Sequence, residues 1–242
     1  MAKKIEKNKI VEVRNLSDRK VVTQANAMIN SKYTLNLSEQ RLILLAIAQI
    51  DSVNDESFFK FSCTVRELEK ELNIDLNENR LKDLAVNILK KPLLIKEGIN
   101  WIACNWFSAF IYYDNEARIE FEISPTLIPY LLKLKEKFTT YSLEVAIQFQ
   151  GKYTTRFYEF CMQVRNQDKK EISFELDFLY ELLQLPKSLR VFGDFKRYVL
   201  DPSIDEINEK TEIKANYEAI KTGRKYTNLI LSWESTILSM SS

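Results

Sequence analysis

The stretch GDFKRYVLDPSIDEINEKTEIKANYEAIKTGRKYTNLILSW, residues 193–233, changes hydrophobic period once, and that change decides the fold. In its first half Phe195, Val199, Leu200, Ile204 and Ile207 recur at the spacing of one buried helix face. In its second half Ile213, Ala215, Tyr217 and Ala219 alternate with Lys214, Asn216 and Glu218, and further on Leu229, Leu231 and Trp233 alternate with Ile230 and Ser232. Period two means two strands after the helix. Between them Lys221-Thr222-Gly223-Arg224-Lys225 is a glycine-containing turn whose charges are all positive, and Lys196 and Arg197 lie at the helix beginning. A helix with a basic start, followed by a hairpin with a basic tip, is the layout by which a winged helix grips duplex DNA. The helix start enters the major groove and the tip meets phosphate. Asp201, Asp205, Glu206 and Glu209 further along the helix repel phosphate, so only its N-terminal end, where the helix dipole also helps, faces DNA.

The same order is legible upstream. Residues 1–20 are lysine-rich without periodicity and read as a mobile basic arm. A short helix is expected over 26–31 and a longer one, capped by Ser38 and apolar nearly all round, over 38–50. A strand follows at 58–63. Thr64-Val65-Arg66-Glu67 is a capping box opening a helix to about Leu72, and a second helix spans 77–90 before Pro92. Strands are expected at 93–96, 101–113 and 117–123, the last alternating Ala117, Ile119, Phe121 and Ile123 with Arg118, Glu120 and Glu122. Ser124-Pro125 opens a helix to about Lys137. With the boundary between Lys135 and Tyr141, helices follow at 142–149, 154–165 and 174–185. Pro186-Lys187-Ser188-Leu189-Arg190 then leads into the opening stretch.

The expected class is therefore α+β: two tandem winged-helix domains over 21–138 and 139–242 after the arm. The halves share no appreciable sequence identity, so the duplication is one of pattern. They differ in charge. The first hairpin carries Asp114, Glu116, Glu120 and Glu122, the second Lys221, Arg224 and Lys225. The second domain is the expected DNA reader. The first is expected to make protein contacts, with weaker DNA contact from Asn79, Arg80 and Lys82 on its second helix.

Composition narrows the chemistry. The formal net charge of +1 over 242 residues means that nucleic-acid binding must come from local patches rather than the overall field. No histidine occurs, which removes Ser-His-Asp and Cys-His catalysis and His-ligated metals. The four glycines form neither GxxxxGK nor GxGxxG. Cys63, Cys104 and Cys161 are odd in number and widely spaced, as reduced structural thiols of a cytoplasmic protein are. The longest apolar run, from Leu42 to Ala48, is far too short to span a membrane. Glu67, Glu69 and Glu71, the best carboxylate set for a metal-dependent nuclease, alternate along a helix and do not converge. No catalytic residue, cofactor or metal is expected.

Three separated motifs carry a family resemblance: Val21-Val22-Thr23-Gln24-Ala25-Asn26 with Leu37-Ser38-Glu39-Gln40-Arg41-Leu42; Tyr153-Thr154-Thr155-Arg156-Phe157-Tyr158-Glu159; and Phe195-Lys196-Arg197-Tyr198-Val199-Leu200 with Asp205-Glu206-Ile207-Asn208 and Gly223-Arg224. In this order, from about Lys20 to Trp233, the chain resembles the iteron-binding plasmid replication initiators. The resemblance implies monomers that bind origin iterons with both domains, promote origin opening and recruit the host replication initiator, helicase and primase. It also implies homodimers, formed through the first domain, that bind an operator and repress the protein's own gene. A purely regulatory dimeric repressor is the alternative. The resemblance places Lys196 and Arg197 on the basic helix start, Lys187, Ser188 and Arg190 on its approach, Arg224 and Lys225 on the wing, and Arg156 on the family's Tyr-x-x-Arg helix. Arg197 and Arg190 are the candidate base readers, because arginine bonds guanine bidentately. Arg156, Lys187, Lys221 and Lys225 are the candidate phosphate clamps, and Tyr153 and Tyr158 more often belong to a core.

Overall fold

The computed structural model describes residues 12–235. Residues 1–11, and with them most of the expected basic arm, lie outside the described residues. The rest of that arm is not free: β1 (Val13–Asn15) pairs in parallel with β3 (Lys60–Thr64).

The first winged helix begins with β2 (Val21–Ala25), α1 (Asn26–Ile29) and α2 (Leu37–Ala48). Asn36 rather than Ser38 caps α2: its side chain accepts from the Glu39 backbone N–H, and the Glu39 carboxylate accepts from the Asn36 N–H at 2.7 Å. Ser38 lies inside the first turn. The box at Thr64 and Glu67 forms as expected and opens α3 (Val65–Leu72); Asn77 caps α4 (Glu78–Leu89). The expected strand over 101–113 is two strands in different sheets. β5 (Asn100–Cys104) pairs with β4 (Leu93–Glu97), whereas β6 (Phe107–Tyr113) pairs with β7 (Arg118–Ile123). The break falls where Trp106 turns into the core and its carbonyl accepts from Ser124 N–H. The helix expected to reach Lys137 stops with α5 (Ile128–Leu131); Lys133 takes a left-handed φ of 53° and bonds Ser52 O.

Next comes β8 (Phe138–Ser142), whose whole length pairs antiparallel with β2. The expected cut at 138/139 thus runs through a strand hydrogen-bonded to the first domain. After α6 (Leu143–Gln148) and α7 (Thr154–Arg165), β9 (Glu171–Glu175) takes in the first two residues of the helix expected over 174–185, and α8 (Leu176–Leu182) begins only after it. Ile172 and Phe174 point one way and Glu171, Ser173 and Glu175 the other, and β9 completes a sheet with β11 (Lys225–Ser235). Helix α9 (Phe192–Phe195) passes through a π-helical turn at Lys196–Leu200 into α10 (Asp201–Lys210), and β10 (Ile213–Thr222) leads to β11.

The two halves share topology. In sheet order β1-β3-β7-β6 and β10-β11-β9, the strand before the second helix pairs with the last hairpin strand. Buried side chains from both halves form one continuous apolar cluster. Through it run polar ties from α2 to the loop before α7: Arg41 donates to Phe149 O and Gln40 to Lys152 O.

Candidate nucleic-acid interface

The second hairpin closes in a two-residue turn, Gly223-Arg224, flanked by the pair Thr222 and Lys225. Gly223 has φ +63°, as the first position of a type II′ turn requires, which a side chain there would strain. The wing is fixed to the recognition helix at its base. Phe192 stacks on Tyr226, centroids 3.9 Å apart, and the Lys221 ammonium lies 4.5 Å from the Tyr226 ring centre. Lys196 donates to Asp201 at 2.6 Å and lies over Tyr217, while Tyr217 donates its hydroxyl to Asp201. That hydrogen bond to Asp201, aided by Tyr217, holds the Lys196 ammonium pKa above its ordinary value. Partial burial pushes Asp201 up, but Lys196 and Tyr217 outweigh it, leaving the carboxyl below the usual carboxylate range. The recognition helix and the wing therefore present Lys196 and Lys221 from one ring-braced assembly.

Helix α9 starts at Phe192, so Lys196 and Arg197 fall in the second turn, not the first. The π turn makes Lys196, Arg197 and Tyr198 three successive exposed residues. The Arg197 guanidinium lies 5.1 Å from the Tyr198 ring centre and has no carboxylate partner among the described residues. Lys187, Ser188 and Arg224 are exposed, and among the described residues neither Lys187 nor Arg224 is ion-paired. Lys225 reaches Asp177 at 3.2 Å, a pair so exposed that solvent screens it. Arg190 is engaged within the protein. It donates to Leu185 O at 2.9 Å and to the Glu181 carboxylate, clamping α8 to the approach of the recognition helix. The bond from Arg190 holds the Glu181 carboxyl below its usual range.

Arg156 requires a correction. It is 4% exposed and donates to Tyr33 Oη at 2.6 Å, Ser31 O at 3.0 Å and Glu159 Oε2 at 3.4 Å. Glu159 in turn accepts from Tyr141 Oη and Gln24 Nε2. Burial raises the Glu159 pKa against the opposing pull of Arg156. An arginine enclosed this way ties α7 to the segment after α1 and has almost no surface to offer a phosphate. Tyr158 is core, as expected, and Tyr153 is partly buried.

In the first winged helix Asn79, Arg80 and Lys82 are exposed on α4, but Arg80 is paired with Asp75 at 2.5 Å. The turn of its hairpin is a single 3-10 turn, Asp114–Glu116, and Arg118 beside it is held by Glu116 and Glu120. Glu67, Glu69 and Glu71 are engaged in the capping box, with Leu76 N–H and with Lys20 respectively. Among the described residues no group of three potential ligands is placed to hold a metal, and no helix is long and apolar enough to cross a membrane.

Residues 21–162 match the family model "Initiator Replication protein, WH1" and residues 175–233 match "Initiator Rep protein, WH2". The chain belongs to this replication-initiator family. It is thus a plasmid-type, DNA-binding replication initiator with WH1 followed by WH2. The initiator is 27% identical over 225 residues to a replication initiation protein of Escherichia coli, covering 88% of this chain and 69% of that one. It is 29% identical over 179 residues to the PI protein of Escherichia coli, covering 67% of this chain and 53% of that one. The crystal structure of Pi initiator protein in complex with iteron DNA superposes with a TM-score of 0.70 over 90% of the initiator and 98% of that chain. At 21% identity this is a likeness of fold.

Proposed function

We propose that the initiator binds the repeated duplex sites, the iterons, of its plasmid origin, with WH2 as base reader. Arg197 reads guanine from the recognition helix, and Lys187, Ser188, Lys196, Lys221, Arg224 and Lys225 position the phosphates. Asn79 and Lys82 of WH1 add a weaker contact. The observation carrying this reading is the brace Phe192–Tyr226–Lys221, which fixes a basic wing beside an unpaired arginine on the recognition helix. The same two-domain fold in a solved complex of Pi initiator with iteron DNA supports it. Bound monomers open the origin and recruit the host initiator, helicase and primase in the bacterial cytoplasm; homodimers through WH1 occupy an operator and repress the gene. WH1 presents β6 at one edge of its sheet and β1 at the other, whereas β7 is interior, so of the two hairpin strands β6 is the one available for pairing.

The test is a salt titration of binding to a duplex carrying the repeats of its own origin against a scrambled duplex. Preference of about a thousandfold or more, with a steep salt slope, is expected. Equal weak binding to both overturns the reading. Failure of a plasmid with gene and repeats to replicate would leave repression as the activity.

A further inference from the structure

Between the two winged helices lies a cleft of about 690 Å³ lined by none of the residues proposed to contact DNA. One wall is the β4–β5 hairpin of WH1. Leu93 and Ile95 of β4 are fully buried and anchor it, while Leu94 and Lys96 face outward, opposite Ala103 and Trp101 of β5. Across a paired hairpin, direct partners share a face, so these residues form one outer surface. The other wall is α8, where Phe178 and Leu182, one turn apart, meet the cleft. The apolar exposure is large: Ile99 at the hairpin tip is 98% exposed, Trp101 70% and Phe178 46%. A contiguous exposed patch of this kind marks an interaction site rather than scattered surface.

We propose that this cleft is a docking groove for one short amphipathic helix of a partner protein, apolar along one face and carrying carboxylates beside it. An apolar channel between a helix and a hairpin suits helix-in-groove recognition, with an aromatic anchor at its centre. Its charge selects the partner: Lys32 and Lys96 line the cleft and no carboxylate does, and because Lys32 is shared with Glu181 of α8 at 3.6 Å, Lys96 is the selecting cation. Lys96 has no ion-pair partner among the described residues. A second copy of this chain docked by two-fold symmetry would bring the same lysine-lined surface against itself, juxtaposing like charges. Because each wall belongs to a different winged helix, the groove exists only while WH1 and WH2 keep this arrangement.

The experiment uses the full chain and a labelled synthetic helix with leucines at i, i+3, i+4 and i+7 and glutamates on its flanks, together with a twin carrying lysines instead. Trp106 and Trp233 are buried, so acrylamide quenching of tryptophan fluorescence reports mainly on Trp101. The glutamate peptide is expected to bind and shield Trp101. Ile99→Asp, at a tip too exposed to disturb folding, should weaken binding by about tenfold or more, and Lys96→Glu should shift preference toward the lysine peptide. Equal binding of both peptides, binding indifferent to Ile99→Asp, or no binding overturns the proposal. So does shielding of Trp101 by protein concentration alone, which would assign the groove to a second copy.

Discussion

WH1 and WH2 share a strand order but differ in the pairing of the arginines on the helices and hairpins expected to face DNA. In WH1 Arg80 is bound to Asp75, and Arg118 to Glu116 and Glu120. In WH2 Arg197 and Arg224 have no carboxylate partner among the described residues, and Lys221 is backed by a ring rather than an acid. Topology follows the apolar alternation, which both halves keep. What each half can offer a phosphate depends on which cations its carboxylates already hold. Counting basic residues along the sequence does not separate these cases, because pairing depends on what the fold sets opposite each one.

The largest expected effect tests this at Arg156, which resembles a DNA contact in sequence and is enclosed in the structure. Arg156→Ala leaves the buried Glu159 charge without its cation and should cost about 3–5 kcal/mol of stability in denaturant unfolding. Pairing Arg156→Met with Glu159→Gln should recover most of it. The salt slope of DNA binding by the folded fraction should stay unchanged; a drop of one would restore Arg156 as a phosphate contact.

Glu206 comes next. It accepts from Gln150 N–H, Gly151 N–H, Thr154 Oγ1 and Lys210, anchoring the recognition helix to the loop before α7 and to the first turn of α7. Partial burial raises its pKa, but Lys210 and the backbone donors outweigh this and hold it below the usual carboxylate range. A carboxyl depressed in the folded state stabilises above the ordinary carboxylate range, and that contribution is lost as pH falls through it. Glu206→Ala should cost about 1–3 kcal/mol at neutral pH, because it strands two backbone donors. The difference from the unsubstituted protein should shrink on acidification; a difference that grew would reverse the sign assigned here.

Much of this was legible beforehand. The capping box at Thr64 and Glu67, the hairpin around Gly223 and the repeated helix-helix-hairpin order are local signals, and all three formed. What escaped reading is long-range. Glu171-Ile172-Ser173-Phe174-Glu175 alternates as a strand should, but five residues beside an apolar helix are ambiguous until β11, more than fifty positions away, supplies the partner. The pairing of β2 with β8 spans 117 positions, and the partners of Arg156 at Tyr33 and Ser31 lie more than 120 positions away. One local hint did exist for Arg156: Glu159 follows at i+3 in a helix otherwise carrying Phe157, Phe160 and Cys161. A charge pair embedded in an apolar turn is a sign of an interior pair.

At the interface itself, Arg197→Ala should cost about 1–3 kcal/mol in iteron affinity and relax preference at one base position. A uniform loss across sequences would instead make Arg197 a phosphate contact and move base reading elsewhere on the helix, with the adjacent Tyr198 the first place to look.

The smallest effect is the most direct comparison of the two wings. Lys225 is held by Asp177 only in an exposed, solvent-screened pair, so Lys225→Ala should weaken binding to every duplex alike and lower the salt slope by about one. Arg118 sits beside the corresponding turn of WH1, yet its charge is already neutralised by two carboxylates. Arg118→Ala should therefore leave the slope where it was. Equal slopes lost from both wings would mean that DNA displaces Glu116 and Glu120 and that WH1 grips phosphate as WH2 does. In that case the pairing pattern of the free protein would not predict the bound one, and the division of labour between the halves would rest on the recognition helices alone.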